Sequence, residues 1–236
     1  MSKRVLMIVT SHSTMGDSGK ATGVWVDELA APYYIFMDAG IDVEIASPKG
    51  GKVPFDPASI KPVGQNAAHI ERFLADKLAL GKVAEAFIVA ALDASVFDAV
   101  FFPGGHGAMW DLPNDAGVTR AVEAAYAANK VIAAVCHGPA GLVTAKRPDG
   151  KSILFEQQVN GFTDAEESAA GLIDVVPFKL ETRMRELGGK FEKAPNWQAF
   201  AVRDGLLITG QNPASSALVA QQVLAALQSA TDRLAA

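Results

Sequence analysis

Short apolar runs alternate along the chain with stretches whose apolar residues recur every three to four positions. Residues 4–10 are rich in Val and Ile and read as a strand. Residues 24–39 place Trp25, Leu29, Tyr33 and Phe36 at helical spacing, and Gly40 stops the pattern. Residues 41–46 read as a second strand. Residues 49–62 hold two adjacent glycines and three prolines and read as a long surface loop. Residues 66–80 are helical in pattern. A strand over 97–102 ends at Pro103-Gly104-Gly105, a helix follows over 115–128, and a buried strand over 131–135. Another strand covers 206–209, and Asn212-Pro213 starts a helix running toward the C-terminus.

Strands that alternate with helices need crossover connections, so the pattern predicts an α/β fold with a mostly parallel sheet covered on both faces. The continuous apolar runs 5–9 and 131–135 suit central strands. Sites in such sheets form at the carboxyl ends of the strands. That directs attention to residues 11–23, 103–107 and 136–139.

The chain has 236 residues, half of them hydrophobic and a fifth charged, the composition of a folded globular protein. Without a repeat or a low-complexity linker, a single domain over 1–236 is expected. Twenty-one Lys and Arg against 26 Asp and Glu leave a net charge of −5, which argues against nucleic acid as a main partner. No apolar stretch approaches a bilayer span, so no membrane partner is expected. The apolar run after Lys3-Arg4 is too short for a signal-peptide core. One cysteine cannot make an internal disulfide, which points to a reducing, cytoplasmic setting. No Cys-rich or His-x-x-x-His cluster is present, so no metal site is expected, and His12 and His69 read as structural or surface residues.

The single Cys136 directly follows the strand 131–135, and His137-Gly138-Pro139 opens the next helical segment. A nucleophile at such a turn stands at the top of the sheet. A helix N-terminus favours thiolate over thiol, so a depressed pKa is expected. The neighbouring strand ends in Pro103-Gly104-Gly105-His106-Gly107, whose glycines permit close backbone approach and whose amides could hold an oxyanion. Trp110, Trp197 and Tyr33 read as core or pocket wall.

Pro103-Gly104-Gly105-His106-Gly107 followed by Ala134-Val135-Cys136-His137-Gly138-Pro139 resembles the ThiJ/PfpI superfamily. Trp25-Val26-Asp27-Glu28-Leu29-Ala30, Gly161-Phe162-Thr163-Asp164-Ala165-Glu166-Glu167 and Thr209-Gly210-Gln211-Asn212-Pro213-Ala214-Ser215-Ser216 resemble its heat-shock-type glyoxalase III branch. The resemblance implies a flavodoxin-like α/β/α sandwich, a homodimer and no cofactor. It makes Cys136 the nucleophile, His137 the triad histidine, and Glu28 the acidic residue beside the thiol. A carboxyl group touching a thiolate should be protonated. The resemblance points to Glu167 as the partner of His137, with Asp164 and Glu166 as alternatives. It joins Gly105, beside Gly104, with the His137 amide in an oxyanion hole. His106 either contacts substrate or hydrogen-bonds its own turn.

The implied activity is conversion of methylglyoxal and related small-molecule 2-oxoaldehydes to 2-hydroxy acids, a hydro-lyase-type reaction, with protein deglycation open to the same thiol. A cysteine peptidase or amidase is the alternative enzyme, and a stress chaperone or oxidation sensor the alternative outside catalysis. A glutamine amidotransferase would need a His-x-Glu pair after the nucleophile. The one such spacing, His69-Ile70-Glu71, precedes Cys136.

Overall fold

The computed structural model describes residues 2–235. Its strands are β1 (Arg4–Ile8), β2 (Asp42–Ser47), β3 (Phe87–Ile88), β4 (Ala99–Phe102), β5 (Val131–Val135), β6 (Gln158–Val159), β7 (Lys190–Phe191), β8 (Ala201–Asp204) and β9 (Leu207–Gly210). Its helices are α1 (Val26–Asp38), α2 (Ala68–Ala75), α3 (Lys77–Ala84), α4 (Ala108–Asp111), α5 (Ala116–Ala127), α6 (Asp164–Ala169), α7 (Leu180–Glu186) and α8 (Ser216–Ala235).

Among the described residues, seven strands form one sheet in the order β3-β2-β1-β4-β5-β9-β8. All neighbours are parallel except β8, which pairs antiparallel with β9. The apolar runs read as central strands are central: β1 lies between β2 and β4, and β5 between β4 and β9. Every residue of β4 and β5 is buried, as strands covered on both faces require. The crossover from β1 to β2 runs one way along the sheet and that from β4 to β5 the other. Right-handed connections therefore put α1 and α5 on opposite faces, giving the α/β/α layering. Helix α8 packs against α1 and completes its face.

The helix expected over 66–80 is two helices. Asp76 turns the chain into extended conformation and its carboxylate caps the amides of Leu78 and Ala79 at the start of α3. Among the described residues no helix is long and apolar enough to cross a membrane.

The direction of strand order reverses between β1 and β4. The loops after β1, β4 and β5 meet at this switch point, where α/β sheets build their sites.

Candidate active site

Cys136 is the first residue beyond β5 and has a φ of +58°, a conformation that costs an L-residue about 1–2 kcal/mol. Its N–H donates to the carbonyl of Gly210 at the end of β9 and its carbonyl accepts from Phe162 in the loop after β6, so the turn is held on both sides. The sulfur is almost wholly buried and lies 3.3 Å from Nδ1 of His137. Nε2 of His137 is 2.7 Å from Oε2 of Glu167, and Nε2 of His106 is 2.8 Å from Oε1 of the same carboxylate. Burial works to raise Glu167, but the hydrogen bonds from the two histidines outweigh it and hold the carboxyl down at about 2. An ionised Glu167 only accepts, so both Nε2 atoms carry hydrogen and Nδ1 of His137 presents a lone pair to the sulfur. Burial, helped by the His106 ring 4.1 Å away, pushes His137 down to about 4 against the pull of Glu167. The imidazole is neutral at pH 7 and able to take the thiol proton.

The three acids of the cluster have different partners. Asp164 is tied to the Thr182 hydroxyl. Glu166 closes a capping box with Thr163 through Oε2, while Oε1 accepts from the Trp197 amide, Asn212 and Gln211. Glu167, one residue on, faces the histidines. Glu166, expected only as an alternative partner of His137, is instead a structural hub, and the Thr163-x-x-Glu166 spacing is a cap signal for it.

Glu28, in the first turn of α1, is fully buried beside Cys136. Its Oε2 accepts the Gly104 amide at 2.7 Å. Its Oε1 has no hydrogen-bond partner among the described residues. Burial pushes the carboxyl up to about 8, against the opposing pull of the adjacent Cys136 thiol and the Gly104 amide. At neutral pH Glu28 therefore holds a proton, and Oε1 is the oxygen left to carry it. The expected low-pKa thiol is not what the structure gives. Burial pushes the Cys136 thiol well up, and negative charge on Glu28 pushes it further; only the His137 amide clearly opposes. The segment after Cys136 is a five-residue 3-10 helix, too short for a strong dipole. Protonating Glu28 removes its repulsion, so the thiolate belongs to the state in which Glu28 is neutral.

Gly104 and Gly105 do different work. A Cβ on Gly104 would lie 2.6 Å from the His137 amide nitrogen and 2.7 Å from Oε2 of Glu28, so glycine is what lets these two groups approach. The Gly104 amide is spent on Glu28, which corrects its expected place among the oxyanion donors. Gly105 has a φ of +99°, and no hydrogen bond takes its N–H among the described residues. His106 lines the cavity as well, while its Nε2 serves Glu167.

His106, His137 and Glu167 bring one potential ligand atom each within 4.8 Å of one another. The sequence, in which these positions lie far apart, gave no sign of this. Glu167 already takes an N–H from each histidine, so a cation there would compete with those two hydrogen bonds.

Cys136, His137, Glu28, Gly105 and His106 open onto one cavity of about 700 Å³, walled by Trp25, Phe162 and Trp197. A second hollow, of about 540 Å³ beneath Tyr34 and Arg72, carries no such chemistry; there Arg72 stacks on the Tyr34 ring and pairs with Asp38.

Residues 21–226 match the DJ-1/PfpI family. The chain is 32% identical to the glutathione-independent glyoxalase hsp3101 of Schizosaccharomyces pombe, over 96% of either chain. Its fold matches the crystal structure of glyoxalase III from Candida albicans with a TM-score of 0.87 at 28% identity, covering 95% of this chain and 97% of that one. The Rapid Encystment Protein 24 kDa of Francisella tularensis matches with a TM-score of 0.91 at 40% identity, covering 95% and 99%.

Proposed function

The chain belongs to the DJ-1/PfpI family, and we propose that it is a glutathione-independent glyoxalase that converts 2-oxoaldehydes such as methylglyoxal to 2-hydroxy acids. The observation that carries the reading is a thiol flanked on one side by a neutral imidazole and on the other by a protonated carboxyl, all at the base of one cavity. A soft nucleophile with two proton carriers suits a small dicarbonyl.

In the first step Nδ1 of His137 takes the thiol proton as sulfur bonds to the aldehyde carbon C1. The C1 oxygen gains the electron pair, is met by the amides of Gly105 and His137, and takes the proton back, giving a hemithioacetal. In the second step the ionised fraction of Glu28 removes the C1 proton, and the electron pair forms an enediol. A proton passes from the C1 oxygen to the C2 oxygen through His137, and Glu28 returns its proton to C2. A carboxyl titrating at about 8 is matched to giving and taking a proton near neutrality. C1 is then a thioester. Water adds to it, with His137 as base, and the thiol leaves with a proton. C1 is oxidised and C2 reduced, so water alone balances the reaction and a cofactor-independent hydro-lyase is the class assigned.

The Cys136, His137 and Glu167 geometry also suits acyl transfer, but a carboxyl pressed against the thiol leaves less room for a peptide than for an aldehyde. The reading extends to a homodimer in the cytoplasm, where the lone thiol would stay reduced.

The test is the purified protein with methylglyoxal and no glutathione, scored by lactate formed. Disappearance of aldehyde without lactate would sink the reading, since any thiol adds to it reversibly.

A further inference from the structure

The cavity is far larger than a three-carbon aldehyde needs: about 700 Å³ lies within the range that drug-sized ligands fill. Its wall is ordered. The Phe162 ring lies 4.4 Å from the His137 ring, and the Trp197 ring 5.7 Å from Phe162, so aromatic faces run outward from the triad to the lip. Trp197 has a φ of +67°, a conformation that bulky residues avoid. Its amide is held at 2.8 Å by buried Glu166, while its side chain stays half exposed. Apart from its contact with Phe162, the indole is held at the cavity wall by a strained backbone with half its surface open. Strain of this kind gathers at ligand clamps.

We propose that the site takes 2-oxoaldehydes bearing an aromatic or similarly broad apolar substituent on C2, with Trp197 as the residue that selects them. This rests on the glyoxalase reading of the same site. The aldehyde carbon reacts at Cys136, and the substituent lies along Phe162 and Trp197. Phenylglyoxal and water then give mandelate by the same internal transfer from C1 to C2.

The experiment compares kcat/KM for phenylglyoxal and methylglyoxal, scored as mandelate and lactate. The expected preference is about 10-fold or more for phenylglyoxal, in line with aromatic stacking and added apolar burial. Trp197→Ala should cut that ratio by about 10-fold, and Trp197→Phe should restore part of it. A ratio at or below one in the parent, or one unmoved by Trp197→Ala, overturns the proposal. A second measurement needs no turnover. The neutral ketones 2-hydroxyacetophenone and hydroxyacetone differ only in phenyl for methyl. The first should protect Cys136 from iodoacetamide at about 10-fold lower concentration, and equal protection overturns the proposal. If neither aldehyde yields acid while the ketones differ as stated, the glyoxalase reading fails and the aromatic subsite stands.

Discussion

Oε2 of Glu28 accepts the amide of Gly104 at 2.7 Å, and this fixes which of its oxygens is left for the proton beside Cys136. Glu28→Gln keeps an amide that can fill the space and donate, but it cannot carry a proton. Lactate turnover should fall by on the order of 10²–10⁴. Alkylation of Cys136 by iodoacetamide should become faster at pH 8, because the variant cannot place a negative charge beside the sulfur. Parent-like turnover would make Glu28 a structural residue, and slower alkylation would contradict its charge effect.

The same carboxyl makes stability fall with rising pH. Its proton is lost near 4.5 in the unfolded chain and near 8 in the folded one. Below 4.5 both states hold it; between 4.5 and about 8 only the folded state does, so folding weakens by ~1.4 kcal/mol per pH unit. Urea unfolding of parent and Glu28→Gln at pH 6.5 and 7.5 isolates the effect. The parent should lose about 1 kcal/mol relative to the variant over that interval, and equal changes would place the Glu28 pKa below this window.

Glu167 receives two N–H donors, one per oxygen. Glutamine offers one acceptor and one donor, so Glu167→Gln forces one histidine into the other tautomer. From sequence alone, the milder damage would be expected here. The shared carboxylate argues instead for a loss comparable to that of a triad acid, on the order of 10⁴ in turnover. Turnover within tenfold of the parent would show that neither tautomer matters.

Cys136→Ala and Cys136→Gly should both abolish lactate formation, yet differ in stability. The +58° φ strains alanine and not glycine, so the glycine variant should be the more stable by about 1 kcal/mol in urea. An alanine variant of equal or greater stability would show that the turn carries no strain.

The core of the sheet and the thiol turn were legible because continuous apolar runs end abruptly at polar or glycine-rich turns, and β5 was read with its observed limits, Val131–Val135. Strand β8 was not, since Ala201–Asp204 is a short edge strand with a polar face. The break at Asp76 hid inside unbroken helical periodicity, where a cap and a helix interior look alike. At the site, Cys136 stood out by its place after an apolar strand, and Glu28 only through the family resemblance. The choice among Asp164, Glu166 and Glu167 depended on which acids the capping box and Thr182 had already engaged. The acidity of Cys136 was misread because a sequence shows the turn but not how deeply the sulfur is buried.

The chain contains one cysteine, and it lines the cavity of the candidate site. Covalent incorporation of a thiol-selective electrophile is therefore an active-site titration. Intact-mass spectrometry after labelling the native protein would give, in one spectrum, the fraction of molecules with a reduced and reachable Cys136. Specific activities from different preparations could then be normalised to working sites rather than to total protein.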